Sequence, residues 1–185
     1  MALTKTPVCD FGKKAEEFKL KSINNKLISL DDIKGEKATL IMFICNHCPY
    51  VKAIIKNLAK DCYELKKEGI NSVAIMSNDT KNYPEDSFEN MIKFAKTNEF
   101  GETSYLIDET QEIAKKYNAV CTPDFFGYNK NSELQYRGRI RELKDLKPIK
   151  NGDSDLRNAM MMISESGKGP KKQIPSMGCS IKWFN

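Results

Sequence analysis

Apolar and polar positions along this chain fall first into short alternating runs and then into longer blocks. Phe18 to Ile23 and Lys26 to Leu30 are extended runs on either side of Asn24-Asn25. Asparagine tolerates positive φ, so the pair predicts a β-hairpin. The polar stretch DDIKGEK then predicts a turn. Ala38 to Ile44, ATLIMFI, is nearly all apolar and predicts a strand buried on both faces. From Val51, apolar residues recur at Ile54, Ile55, Leu58, Cys62 and Leu65, the spacing of one helix face. Pro49 fits the first turn of that helix, where a missing N–H costs nothing, and Gly69 ends it. Ser72 to Met76 predicts a second buried strand, and Asn78 to Ser87 a polar loop. Helices are predicted over Phe88 to Asn98 and Glu109 to Asn118, the latter with Ile113, Ala114 and Tyr117 facing inward, and a short strand over Tyr105 to Ile107. After Thr122-Pro123, DFFGY and ELQYRGRI flank the turn NKNS as a second hairpin. Asp155 to Ser164 predicts a Met-rich helix, and GKGPKKQIPSMGCSIKWFN an irregular end. Strands alternating with helices give an α/β class with a largely parallel central sheet.

The chain has 185 residues, enough for one domain with a full core, and no internal repeat divides it. The expectation is a single domain over 1–185 whose segment from 165 packs back on it. The net charge is +5, but lysines and arginines are interleaved with acids and read as a solvated face. Only Lys168, Lys171, Lys172 and Lys182 cluster, without interleaved aromatics, so no nucleic-acid partner is expected. No apolar run has the length of a signal peptide or a membrane span, so the expectation is a cytoplasmic protein without a membrane partner. In that compartment six cysteines point to free thiols, a catalytic pair or a metal site rather than a disulfide framework.

FICNHCPYV carries the chemistry. Two cysteines lie three positions apart at the junction of a strand and a helix, with the chain's one histidine between them. Cys45 is expected at or just before the helix N-terminus, where unpaired N–H groups and the helix dipole stabilise a thiolate. Cys48 is expected one turn into the helix, near enough to resolve a mixed disulfide formed at Cys45. Asn46, His47 and Pro49 would tune the pair. A structural zinc site wants four ligands, and this chain has no second C-x-x-C; covalent haem wants histidine where Pro49 stands. Redox chemistry is therefore preferred over metal binding or a purely structural pair. Cys62 lies on the apolar helix face and reads as core, and Cys9 as incidental. Cys121, just before Thr122, reads either as a buried thiol or as a further redox group. Cys179 has polar flanks, but Ile181, Trp183 and Phe184 should pull its segment onto the body. The run Met160-Met161-Met162 reads as core filling rather than a copper site.

A strand–CxxC–helix, a βαβ continuation and a Thr-Pro before a hairpin resemble the thioredoxin-like superfamily. Gly12, Ala15, Phe18 and Leu20 resemble the opening of its redoxin branch (alkyl hydroperoxide reductase/thiol-specific antioxidant type), with Glu16 where proline is usual. CNHCPYVKA, CTPDFFGY, YRGRI and GCSIKW together look like a group of thiol-disulfide oxidoreductases. The resemblance implies a central mixed sheet flanked by helices. It gives Cys45 the nucleophile position and Cys48 the resolving position, with the Cys45–Cys48 disulfide as the redox group and no bound cofactor or metal. Thr122 and Pro123 take the cis-proline loop, whose backbone pairs with an extended substrate. Partners are then protein or small-molecule disulfides and a thiol reductant, acting on a monomer or weak homodimer. Ile44 stands where thioredoxins carry tryptophan, and Thr39 where they carry a buried aspartate, so the proton acceptor is unassigned. The enzymatic rival is a peroxiredoxin with Cys48 or Cys45 as the peroxidatic cysteine, Cys48 being the one in the family's peroxidatic position. Cys45 then replaces the threonine that binds peroxide, and only Arg137 and Arg139 could supply the arginine. A thioredoxin-fold copper protein is the non-enzymatic alternative.

Overall fold

The computed structural model describes residues 3–101, 103–149 and 153–184. The chain opens with β1 (Leu3–Lys5), the hairpin β2 (Lys19–Ser22) and β3 (Leu27–Ser29), the one-turn α1 (Leu30–Ile33) and β4 (Ala38–Phe43). Next come α2 (Pro49–Lys67), β5 (Ile70–Met76), α3 (Phe88–Thr97), β6 (Ser104–Ile107), α4 (Glu112–Lys116), β7 (Cys121–Thr122), β8 (Asp124–Asn129) and β9 (Leu134–Tyr136). A small hairpin, β10 (Leu143–Lys144) and β11 (Lys147–Pro148), leads to α5 (Asp155–Ser166) and β12 (Met177–Ser180).

The first hairpin turns where expected, with Asn25 at φ 58° and its N–H on Ser22 O at 2.9 Å. The predicted polar turn after it holds a short helix. Ser29 and Asp32 cap it reciprocally, which satisfies two otherwise unpaired N–H groups. α2 starts on Pro49, and Gly69 at φ 78° turns the chain out after it, as the spacing implied.

Seven strands form the main sheet in the order β3-β2-β6-β5-β4-β8-β9. Only the β4–β5 and β5–β6 pairs are parallel, so the sheet is mixed rather than largely parallel. β4 lies next to the central strand β5, between it and β8, with every residue buried. Its alternate positions feed two cores. Leu40 and Met42 pack with Ile54, Leu58, Leu65 and Met160 from α2 and α5. Ile41 and Phe43 pack with Ile113, Ala114 and Tyr117 on the opposite face. The period-two strand pattern and the 3.6-residue helix pattern thus meet as a three-layer packing. Removing a fully buried side chain such as Leu58, as in Leu58→Ala, costs about 2–5 kcal/mol. Met160 is fully buried, Met161 packs half-buried against the same core and Met162 is exposed, so two of the three methionines do the core filling.

Three elements depart from the pattern. α4 begins at Glu112, because Gln111 adopts φ 63° and the Asp108 carboxylate takes the Ala114 N–H at 2.9 Å. β9 stops at Tyr136. Beyond it, Arg137 N donates to Gln173 Oε1 (2.8 Å) and Arg139 N to Ile174 O (2.7 Å), so this backbone pairs with the C-terminal segment and not with β8. That segment is not irregular throughout, because β12 forms the centre of a second sheet in the order β1-β12-β7. Its residues, MGCS, carry little strand signal; the pairing comes from partners far away in sequence. Ile181 enters the core, whereas Trp183 and Phe184 remain largely exposed. Among the described residues no helix is long and apolar enough to cross a membrane.

Candidate active site

The end of β4, the start of α2 and the β7–β8 junction meet at one point. Thr122-Pro123 is a cis peptide. Cys45 Sγ lies 3.3 Å from Thr122 Oγ1, and Cys48 Sγ lies 3.1 Å from Thr122 O. One residue of the proline loop therefore touches both sulfurs. Both cysteines are buried and both are free thiols.

The helix boundary differs from expectation. Cys48, not Cys45, is the residue that caps α2, and Cys45 sits in the loop three residues before it. The helix field therefore acts on Cys48. The Cys45 thiol hydrogen-bonds to Cys48, which pulls Cys48 well below the ordinary thiol range against the opposing effect of burial. N–H groups of Val51 and Cys179 and the Cys179 thiol add to this. Cys45 moves the other way, through its bond to Cys48, through burial and through the nearby Asp86 charge, with only the Thr122 hydroxyl opposing. The lowered thiol expected at Cys45 thus belongs to Cys48. The Thr122 carbonyl beside Cys48 Sγ accepts from a thiol and repels a thiolate, so it offsets part of the depression.

A buried carboxylate holds the CxxC loop. Asp86, in a one-turn 3₁₀ helix (Pro84–Asp86), is fully buried. It accepts from Asn46 N (2.8 Å), His47 N (3.2 Å), His47 Nδ1 (2.7 Å) and Asn78 Nδ2 (2.8 Å). Burial alone would raise its carboxyl, but the bonds from His47, Asn78 and the Asn46 backbone overcome this and hold it below the usual range. The same bond raises the imidazole of His47, which stacks on Tyr83 at 5.7 Å and lies 4.0 Å from Cys45 Sγ. Asn46 is fixed by Tyr105 OH at 3.0 Å and by its own bond to Glu85 O at 3.1 Å. Spacing gave no sign of Asp86, Asn78 or Tyr105; an aspartate after Pro84 in a polar loop looks solvated. Thr39 is no proton acceptor for the thiols, since its Oγ1 accepts from Gly35 N at 3.0 Å.

The remaining candidates separate. Cys179 arrives on β12, paired in register with Thr122, and its N–H and thiol reach Cys48. Burial, and the charge on Cys48, raise the Cys179 thiol to about 11. Cys121 is fully buried; burial raises its thiol far above the ordinary range, and it donates to Pro123 O at 3.6 Å. Cys62 is buried on α2, and Cys9 lies half-buried in the N-terminal arm. Arg137 binds Asp124 (2.9 Å) and Asn118 O (2.8 Å), and Arg139 binds Asp155 (2.6 Å), so both guanidiniums are committed to partners other than the thiols. The Thr122 backbone, expected to be open to substrate, is instead paired with β12. Beside Pro123 lies a cavity of about 260 Å³ with Tyr50, Ile54 and Met177 on its walls and Lys5, Arg139 and Arg141 among its lining. A larger opening of about 530 Å³, between α2 and the end of α3, has no cysteine in its lining.

Cys45, His47 and Asp86 each offer a ligand atom, all within 4.8 Å of one another. Ligands at ~2.0 Å from a tetrahedral metal sit roughly 3.3 Å apart. The 2.7 Å between His47 Nδ1 and Asp86 Oδ2 is shorter than that and is a hydrogen bond. The trio fits an oriented histidine better than a metal.

The model of the AhpC/TSA family matches residues 11–142. An uncharacterized conserved protein from Geobacillus kaustophilus is 40% identical, with 100% of this chain and 97% of that one covered and a TM-score of 0.88. A hypothetical protein from Sinorhizobium meliloti is 35% identical, with 98% of each chain covered and a TM-score of 0.90. A thiol:disulfide interchange protein of the thioredoxin family from Chlorobium tepidum is 19% identical, covers 68% of this chain and 84% of its own, and superposes with a TM-score of 0.57, a likeness of fold. No match was found among the curated proteins compared.

Proposed function

The chain belongs to the AhpC/TSA family, in the redoxin branch of the thioredoxin-like superfamily, and on that premise we propose that it is a thiol-disulfide oxidoreductase working through Cys45 and Cys48. The observation that carries the reading is the contact of both sulfurs with Thr122, at 3.3 and 3.1 Å, beside the cis peptide. It holds two reactive groups in one place, which is what an exchange between a dithiol and a disulfide needs.

The reduced pair holds one proton on Cys45 and, when Cys48 is ionised, one negative charge. As the proton passes to Cys48, Cys45 attacks one sulfur of the substrate disulfide. The substrate S–S bond breaks and its second sulfur leaves as a thiolate. That thiolate takes the proton from Cys48, whose sulfur attacks Cys45 and expels the first substrate sulfur as a thiolate, so the pair's one negative charge leaves with it. The protein ends as the Cys45–Cys48 disulfide, and a thiol reductant restores it. The cavity beside Pro123 offers an apolar floor for the group that carries the disulfide.

One observation favours a second reading. A lowered Cys48 at the N-terminus of α2 has the disposition of a peroxidatic thiol. Two assays separate the readings. A disulfide-reduction assay should lose at least tenfold in rate in both Cys45→Ser and Cys48→Ser, and wild-type activity in both variants would sink the exchange mechanism. A peroxide-consumption assay that depends on Cys48 but not on Cys45 would promote the peroxidase.

A further inference from the structure

Cys48 has two thiol neighbours. One is Cys45; the other is Cys179, which comes from the far end of the chain. The pairing of β12 at Thr122 brings Cys179 there. β12 pairs antiparallel with β7, with Cys179 opposite Thr122. Thr122 is also the residue whose carbonyl lies 3.1 Å from Cys48 Sγ. Gly178, the preceding residue, lies so close that an added Cβ would stand 2.0 Å from Thr122 O and 3.1 Å from Pro123 Cδ, so only glycine permits this approach. The strand is anchored on both flanks as well. Ser176 Oγ donates to Pro123 O at 2.8 Å, and Lys182 N donates to Asn78 Oδ1 at 2.9 Å, the same Asn78 that binds Asp86.

We propose that Cys179 is a third redox thiol of this site, exchanging with Cys48 so that the oxidised state passes between Cys45–Cys48 and Cys48–Cys179. In the exchange, the Cys179 sulfur attacks Cys48 Sγ. The Cys45–Cys48 bond breaks, and Cys45 leaves with the electron pair and takes the proton that Cys179 gives up. No outside oxidant is consumed. Cys179 is 6% exposed, against 1% for Cys45 and 0% for Cys48, so it is the most open of the three to an incoming thiol. When a thiol reductant attacks Cys179, the group expelled is Cys48, the sulfur best able to carry negative charge. A second reductant thiol then frees Cys179 and yields the reductant's disulfide. The inference rests on Cys48 being reactive, as the proposed function does, but it does not need Cys45 to be the attacking group.

The test uses oxidised glutathione as the probe, acid quenching, alkylation of free thiols and peptide mapping. In Cys45→Ser, Cys48 attacks glutathione disulfide and releases one glutathione; Cys179 then attacks Cys48 and releases the other. The expected product is a closed Cys48–Cys179 disulfide, while Cys45→Ser/Cys179→Ser retains glutathione on Cys48. Wild type should yield both Cys45–Cys48 and Cys48–Cys179 peptides, and this map decides alone if the variants do not fold. Stable glutathione on Cys48 of Cys45→Ser, or two free thiols there, overturns the proposal. Wild type with Cys45–Cys48 only also overturns it while leaving the exchange mechanism intact. Wild type with Cys48–Cys179 only supports it and removes Cys45 from the mechanism.

Discussion

Replacing Asp86 by asparagine removes one charge from the middle of the CxxC support. The carboxylate accepts four hydrogen bonds, two from backbone N–H groups of the loop, one from His47 and one from Asn78. An asparagine can keep an oxygen toward the backbone donors. Its NH₂ then faces Asn78 Nδ2, and Asn78 cannot readily flip because its Oδ1 holds Lys182 N at 2.9 Å. Loss of a charge-assisted bond to His47 costs about 1.5 kcal/mol, the lower end for such bonds, and a donor set against a donor adds a comparable amount, so a total of about 3 kcal/mol is expected. For a chain of this size that lowers Tm by roughly 6–12 °C.

The direction of the pH effect follows from the shifts. The raised His47 contributes stability that is fully present below its unfolded pKa and fades as pH rises through its folded pKa. The lowered Asp86 contributes stability that is present above its unfolded pKa and fades as pH falls through its folded pKa. The pair is therefore worth most between the ordinary carboxylate and imidazole ranges. The chain has one histidine, so a single proton NMR resonance reports it without assignment. Wild-type His47 should titrate above the ordinary imidazole value. In Asp86→Asn it should titrate below its wild-type position, and Tm should lose its maximum between those two ranges. A wild-type His47 at or below the ordinary value, or one unmoved by Asp86→Asn, would refute the reasoning.

Other outcomes follow from single contacts. Gly178→Ala sets a methyl group against Thr122 O and should cost about 1–3 kcal/mol by overpacking, measured by urea unfolding, and lower the yield of the Cys48–Cys179 disulfide. Ultraviolet thiolate absorbance followed against pH should show in wild type an ionisation below the ordinary thiol range that vanishes in Cys48→Ser; its survival there would move the thiolate to another cysteine. Thr122→Val removes the hydroxyl that opposes the rise of the Cys45 thiol. Disulfide reduction at neutral pH should then fall several-fold and its rate profile shift to higher pH, and an unchanged profile would mean that the 3.3 Å contact does not act on Cys45.

Local pattern was enough for much of this protein. The apolar run at 38–44, the helical spacing from Val51, and a proline admitted at the first helical position are short-range physics, and they correctly set a CxxC at a strand–helix junction. The order of such elements gave the α/β class, and the resemblance carried by CxxC and Thr-Pro gave the thioredoxin-like architecture with its mixed sheet. Backbone geometry over a few residues decided more than spacing could. That Cys48 rather than Cys45 caps α2 turns on where helical dihedrals begin, and it moves the stabilised negative charge from one sulfur to the other. Long-range pairing decided the rest. Asp86 lies 39 positions from His47, and Cys179 lies 57 positions from Thr122, yet β12 folds it against that residue. An aspartate in a polar loop and a cysteine in MGCS carry no local signal of their destinations. Their placement is set by backbone hydrogen bonds and a glycine-sized gap, which exist only once distant segments have come together.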